Sequence, residues 1–442
     1  MSVGDGFKMT DAGVIPEDWG IEPLGALIGS LDAGVSVRSA ADNTASYGHD
    51  VMVLKTSCIS KGRFKPAEAK AVISADLSRV KTPAKGGSML ISRMNTPDLV
   101  GEVGYVPQDW PNLYLPDRLW MTCPSAGRKT DMRWLTALLA HGPAGRSLRD
   151  AATGTSGSMK NIGKAALRAV LIPSPTPAEQ TAIAEALSDM DEAIAAQEAV
   201  IAKKRALKTA TMQALLSGAR RLPGFCDPAR LGQFKQTEVG VIPDDWGVAR
   251  LGDLLSRKPS YGINATAVPY DDRHPRYLRI TDITEDGRFR KSPAVSVNHS
   301  SSEQYYLDPG DLVFARTGAS TGKSYRYRET DGRLVYAGFL IRVSPSDNRL
   351  DSNYLAVQVR TQNFEKYVTE VSQRSGQPGI NGKQLADFQL PIPSTLDEQK
   401  AIAGTFLDMD EDIEVNETRL AKLHHVRVGM MQQLLTGKIR LV

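Results

Sequence analysis

Two stretches of this chain recur at a fixed displacement, and that duplication limits the possible folds more than any other feature. Phe7 to Gly25 reads FKMTDAGVIPEDWGIEPLG and Phe234 to Gly252 reads FKQTEVGVIPDDWGVARLG, 227 residues apart without a gap. A second pair matches at a displacement of 219: Thr176 to Gly218 begins TPAEQTAIAEALSDMDEAI, and Thr395 to Gly437 begins TLDEQKAIAGTFLDMDEDI. Such self-similarity makes the chain a tandem repeat in which each half is a globular region followed by a long helix. Two similar sites on one molecule follow from it.

The helix boundaries are written in the sequence. Thr176-Pro177-Ala178-Glu179 reads as a capping box with proline at the first helical position, and Thr395-Leu396-Asp397-Glu398 repeats it. Gly218 and Gly437 are placed to end the helices in the left-handed conformation. Between these signals lie residues 177–217 and 396–436, each about 60 Å of helix at 1.5 Å per residue. Apolar residues follow alternating four-three spacing: Ile183, Leu187, Met190, Ile194, Gln197 and Ile201 in the first, and Ile402, Phe406, Met409, Ile413, Asn416, Leu420 and Leu423 in the second. Two unrelated amphipathic helices would also produce such stripes, but equal capped lengths favour a mutual antiparallel pair. Gln197 and Asn416 are repeat equivalents (197 + 219 = 416) at the midpoints, so they are expected to meet in the central layer and fix the register. The expected domains are residues 1–175, a helix at 176–218, residues 219–394 and a helix at 395–442. Closing the chain from Arg440 to Phe7 requires 8 residues where the internal connection uses residues 222–233, which predicts neighbouring termini and a nearly closed, pseudo-twofold arrangement.

Both globular halves read as mixed α/β. In the second, Arg276 to Ile283 and Asp311 to Arg316 are predicted strands; Val51 to Ile59 and Ser88 to Arg93 are their counterparts in the first. The repeated flanks match far better than these interiors, which suggests two domains doing one job on two different targets.

Composition excludes several classes. No run approaches 18 uncharged apolar residues and the N-terminus lacks a signal-peptide pattern, so a cytoplasmic chain without membrane contact is expected. Cys58, Cys123 and Cys226 are widely separated, offering neither a disulfide framework nor a metal clip, and adjacent His424 and His425 make a poor chelate. Gly318 to Ser324 (GASTGKS) has three residues between its glycines where a phosphate-binding loop has four, and SYRYRETDGRLVY after it reads as a hairpin instead of a helix. Asp50 with Glu68 and Lys70 mimics a nuclease triplet without a counterpart in the other half. No catalytic residue and no metal site is expected.

The sequence does offer basic and amide side chains on loops of both halves. Arg316, Ser320, Thr321, Lys323, Arg326 and Arg328 are followed by Arg374, Ser375, Gln377 and Asn381; the first half supplies Arg93, Asn95, Thr155, Ser156, Lys160 and Asn161. Arg and Lys neutralise phosphates, and Arg, Asn and Gln can bond to base edges. Each residue alone could be a solvated surface group; as two similarly placed sets they read as DNA-facing loops. The net charge of +4 permits a polyanionic partner without demanding one.

With those residues in view, the chain closely resembles the specificity (S) subunit of type I restriction-modification systems. The features are the lead-ins Ile15 to Trp19 and Ile242 to Trp246, the Ile-Pro-Ser segments at 172–174 and 392–394, the pairs Glu179-Gln180 and Glu398-Gln399, Asp-Met-Asp in both helices, and Gly310 to Lys323. The resemblance implies a non-enzymatic protein with two α/β target-recognition domains separated by antiparallel helices. It implies a bipartite, asymmetric double-stranded DNA target, and helices that set its gap and dock two modification subunits. S-adenosylmethionine, ATP and Mg2+ would sit on the modification and restriction subunits, none on this chain. Residues 95–101 (NTPDLVG) depart from the family's Gly-rich turn, which puts the first domain's contacts most in question. The specificity component of another modification enzyme, or a scaffold that binds only protein, are the alternatives.

Overall fold

The computed structural model describes residues 6–39, 51–154, 159–225, 232–372 and 379–441. They form two compact units. The first comprises Met1–Glu198 with Thr418–Val442, and the second Ala199–Glu417, so each long helix is shared between both units. The helices run Pro177–Leu216 and Leu396–Leu434, within two residues of the ends expected from the caps. Gly218 and Gly437 beyond them have φ of 70° and 67°, a conformation that a side chain would strain.

In the first unit a six-stranded sheet has the order β1-β6-β4-β5-β3-β2, where β1 is Asp32–Ala33, β2 Ile59–Ser60, β3 Gly62–Phe64, β4 Ser88–Ser92, β5 Val103–Val106 and β6 Leu119–Thr122. Every residue of β4 and β6 is buried, as central strands require. Helix Met132–His141 covers this sheet with Trp134, Leu135 and Leu138, and the same core receives Ile183 and Leu187 from the first long helix and Met431 and Leu434 from the second.

The second unit repeats the plan with a four-stranded sheet of order β7-β10-β8-β9: β7 is Leu255–Tyr261, β8 Leu312–Ala315, β9 Ser324–Arg326 and β10 Leu340–Pro345. Its core joins Phe314, Phe364 and Phe388 to Leu215 and Leu216 at the end of the first long helix and to Ile402 and Phe406 near the start of the second. Each such side chain, once buried, contributes about 1.5 to 3 kcal/mol. In each unit the beginning of one long helix therefore packs with the end of the other, and the pair runs antiparallel. Of the four-three stripe, Ile183, Leu187, Ile194, Gln197, Ile201, Ile402, Phe406 and Ile413 are all at most 7% exposed, while Met190, Met409, Asn416, Leu420 and Leu423 are half-buried.

Three local expectations are corrected. The strand predicted over residues 276–283 stops at Leu278, because the Asp282 carboxylate accepts from the backbone N and guanidinium of Arg279 and folds Ile280–Asp282 into a 3-10 turn. The strand predicted over 51–59 likewise shortens to Met52–Leu54 before a 3-10 turn at Thr56–Cys58. The segment read as a hairpin after Lys323 sends β9 to β8 but its second strand, Leu334–Tyr336, to a parallel partner at Arg276–Leu278 in another sheet.

Candidate nucleic-acid interface

Each domain is fastened to the helices by the same cluster, built around a buried glutamate. In the first unit Arg440 donates to both oxygens of Glu179, at 2.5 and 2.8 Å, and to both oxygens of Asp18, at 2.7 and 2.8 Å. Its guanidinium lies 5.8 Å from the ring centre of Trp19, whose indole N–H donates to Glu179 Oε2 at 3.1 Å. In the second unit Arg221 takes the same place: it donates to Glu398 at 2.5 and 2.9 Å and to Asp245 at 2.9 Å, 5.4 Å from the centre of Trp246. The pairs are repeat equivalents (221 + 219 = 440; 179 + 219 = 398; 18 + 227 = 245). The capping box is thus half made: Thr176 and Thr395 hydroxyls accept from the third-residue amides, but the Glu carboxylates are spent on arginine instead of the cap amide. Burial raises the Glu398 carboxyl above its ordinary value against the pull of Arg221, while the Arg440 hydrogen bond lowers that of Asp18.

The neighbouring glutamines do a second job. Gln180 accepts from the Asp131 amide at 3.1 Å and donates to the Pro175 carbonyl at 3.0 Å; Gln399 accepts from the Asp351 amide at 2.9 Å and donates to the Arg349 carbonyl at 3.3 Å. Asp131 and Asp351 are the N-caps of helices Met132–His141 and Ser352–Gln358, so each Glu-Gln pair ties a long helix to the helix that covers a sheet. The second Asp of each Asp-Met-Asp motif bridges the long helices: Asp191 to Arg427 at 2.6 Å and Asp410 to Lys208 at 2.5 Å, again equivalents (208 + 219 = 427).

On this frame, the residues expected to face DNA divide into groups. In the first unit Arg93, Asn95, Lys160 and Asn161 come together, because Met94–Asn95 pairs antiparallel with Lys160–Ile162, Asn95 opposite Lys160 and Met94 opposite Asn161. Asn95 is engaged locally: its Nδ2 donates to Ser92 Oγ at 3.2 Å and its Oδ1 accepts from the Thr96 amide at 2.9 Å. In the second unit Arg316 and Asn381 line one cleft of about 270 Å³ with Thr317 and Gln384. Asn381 caps helix Gly382–Ala386, accepting from the Gln384 amide at 2.9 Å. Ser320, Thr321 and Lys323 line a different cavity, of about 370 Å³, with Glu285 and Arg360. Lys323 pairs there with Glu285, and Thr321 Oγ1 donates to the Gly318 carbonyl at 2.7 Å.

Arg326 stands apart from both groups. It is half-buried against Ser352, to whose Oγ it donates at 2.9 Å, and burial lowers its guanidinium from the ordinary value. Thr155, Ser156, Arg374, Ser375 and Gln377 lie outside the described residues. So does Asp50, while Glu68 of the supposed triplet accepts from Ser57 Oγ at 2.7 Å. Among the described residues no group of His, Cys, Asp and Glu could hold a metal ion, and no helix is long and apolar enough to cross a membrane. Burial pushes the Cys58 thiol up to about 12.

Arg93 and Arg316 share one construction. Arg93 leaves β4 with its amide donating to the Arg118 carbonyl at 3.1 Å and its carbonyl accepting from Ile162 at 2.9 Å. Arg316 leaves β8 with its amide on the Phe339 carbonyl at 3.1 Å and its carbonyl on the Ile380 amide at 2.9 Å. Their guanidinium carbons lie 5.3 Å from the centre of Trp120 and 4.8 Å from that of Tyr261. The aromatic partners and the arginine clasps were missed from sequence, although Arg221 and Arg440 extend the second repeat by three residues beyond its glycine.

Of the seam amides, Gln197 is 7% exposed; Asn416 is half-buried and donates to the Asp412 carbonyl at 2.7 Å. They fall in different units.

Comparison with known proteins agrees with this architecture. The family described as the type I restriction modification DNA specificity domain matches residues 243–425. The putative type I restriction enzyme MjaX specificity subunit of Methanocaldococcus jannaschii is 24% identical over 99% of this chain and 97% of its own length. The EcoDI specificity subunit of Escherichia coli is 22% identical over 97% of this chain and 90% of its own. Among solved structures, the S subunit of a type I restriction-modification system from M. genitalium superposes with a TM-score of 0.60 at 13% identity, covering 98% of each chain. A chain from a structure of type I complex assembly and conformational transition gives 0.53 at 16% identity, covering 96% of this chain and 99% of that one.

Proposed function

From these likenesses we propose that this chain is a specificity subunit of a type I restriction-modification system and that its two domains read the two halves of an interrupted, asymmetric double-stranded DNA target. Catalysis lies elsewhere in such a system. We place S-adenosylmethionine on two modification subunits that methylate adenine, and ATP and Mg2+ on restriction subunits that translocate and cleave, with the whole assembly in the cytoplasm. The observation that carries the reading is the contrast between frame and interior. The arginine clasp, the glutamine tie and the aspartate bridge are built twice from equivalent residues, whereas the loops around Arg93 and Arg316 differ in sequence and partners. A repeated frame with divergent reading loops fits one mechanical task on two different sequences.

The long helices support the docking part of this proposal. They keep apolar side chains on the surface, with Leu207 58%, Val415 62%, Val426 50% and Val428 48% exposed. Co-expression with the modification subunits of a type I system, followed by methylation-sensitive long-read sequencing, tests the function. A two-part adenine motif with a fixed gap, absent when this chain is omitted, is expected. Methylation that is unchanged without this chain would refute it.

A further inference from the structure

We infer that Arg93 and Arg316 each read a guanine, one in each half of the DNA target. The inference rests on the DNA-reading role proposed above and adds to it the base and the two residues.

Arg93 opposes nothing equivalent to Arg316 in its surroundings except the strand it leaves and the two backbone bonds that fix it. The aromatic rings come from different strands. On β6, Trp120 pairs with Ala33 of β1; at the corresponding position Ile341 of β10 pairs with Tyr261 of β7. One half has the large ring on the inner strand and a small residue beside it. The other has an aliphatic side chain on the inner strand and the ring beside it. The rings have exchanged strands, yet an arginine lies over a ring in both. Retention of a contact through a change of the residues that make it points to selection for the held guanidinium, not to inheritance of a packing detail.

The chemistry of that guanidinium is suited to a base edge. An aromatic face attracts a cation and restricts a planar group, and it leaves the N–H donors at the rim available. Nε is buried in both residues without a hydrogen-bond partner among the described residues, and no carboxylate pairs with either guanidinium there. Several other buried or half-buried arginines in this chain do have such a partner: Arg221, Arg279 and Arg427 are all in ion pairs. A fixed, planar cation without a carboxylate matches the paired acceptors O6 and N7 that guanine presents in the major groove. Around Arg316 the surface also carries Tyr261 at 41% and Phe339 at 59% exposure, a setting that excludes water from a polar contact.

The test uses the complex of this chain with its modification subunits. Arg316→Lys and Arg316→Ala, and separately Arg93→Lys and Arg93→Ala, are assembled and their methylated motifs determined by long-read sequencing, with relative rates on duplexes varied at each motif position. Lysine keeps the charge but loses the bidentate fork. For each arginine, the lysine variant is expected to lower the preference for guanine at one position of one half-site by on the order of tenfold, leaving the other half-site intact. Arg316 and Arg93 variants must affect opposite half-sites. Uniform weakening with every base preference retained, and a flatter salt dependence, would assign the arginines to phosphate contacts and overturn the proposal. An unchanged motif at unchanged rate would also overturn it, as would a wild-type half-site containing no guanine. Where an alanine variant fails to fold, its lysine counterpart decides between these outcomes. A wild-type complex that methylates without any two-part motif would refute the DNA-reading role itself, a result distinct from failure of the guanine assignment.

Discussion

Arg440 and Glu179, 261 residues apart in sequence, meet through two charge-assisted hydrogen bonds in which the guanidinium Nε and Nη2 donate to the two carboxylate oxygens. The side chain of Glu179 has no exposure to solvent, so removing its partner would strand a buried charge. The same applies to Glu398 beneath Arg221, and Arg221 is the better shielded of the two arginines, at 8% exposure against 27%. Arg221→Ala is therefore expected to destabilise the second unit by about 3 kcal/mol, and Arg440→Ala the first by less. Calorimetric unfolding of the two variants checks the order; equal losses would contradict it.

The clasps should respond differently to acid. The Asp18 carboxyl is held below its ordinary value of 3.8 by Arg440, so its contribution is present above that value and is lost as pH falls through the lower, folded value. The Glu398 carboxyl is raised above its ordinary 4.5 by burial, which reverses the sign: stability rises as pH falls through the folded value towards 4.5. Asp18→Asn is expected to reduce the loss of stability below pH 3.8, and Glu398→Gln to remove the rise above pH 4.5. Stability measured across about pH 3 to 7 for each variant separates the two effects.

Reading should be modular. Exchange of residues 27–171 for the same segment of a relative leaves Trp19, Glu179 and Gln180 of the frame in place, and is expected to change one half-site of the methylated motif while preserving the other. Sequencing of methylated DNA from a strain carrying the hybrid gives the answer, and change in both half-sites would count against separate domains.

The seam amides provide a further prediction. Gln197 occupies a buried apolar position, where an amide is less stabilising than leucine. Replacing Gln197 and Asn416 together with leucine is expected to preserve or raise the melting temperature while broadening the gap between half-sites. A sharp, unchanged gap in the methylated motif would remove register control from these residues.

How much of this was legible in the sequence depended on whether the signal was local. The ends of the helices, the four-three seam and strands such as Ser88–Ser92 follow from caps and periodicity, which act within a few residues. The destiny of Glu179 does not: three residues after Thr176 it has the spacing of a capping partner, but the competing partner, Arg440, comes from the far end of the chain. Arg326 shows the opposite failure. Its cationic neighbours on the sequence suggested a surface cluster, whereas alternation along β9 turns it towards Ser352. Trp120 and Tyr261 were invisible as equivalents because the exchange between strands erases any alignment.

The arginine clasp has a genealogical consequence. Each compact unit contains one domain, the first half of the helix that follows it, the latter half of the other helix, and an arginine from beyond that other helix. An ancestral half-length polypeptide with one domain, one helix and one trailing arginine would find neither its missing half-helix nor its missing cation within itself. Two copies would have to lend these to each other. Gene duplication would make such an exchange permanent in a single translation product, and would leave the two domains free to diverge.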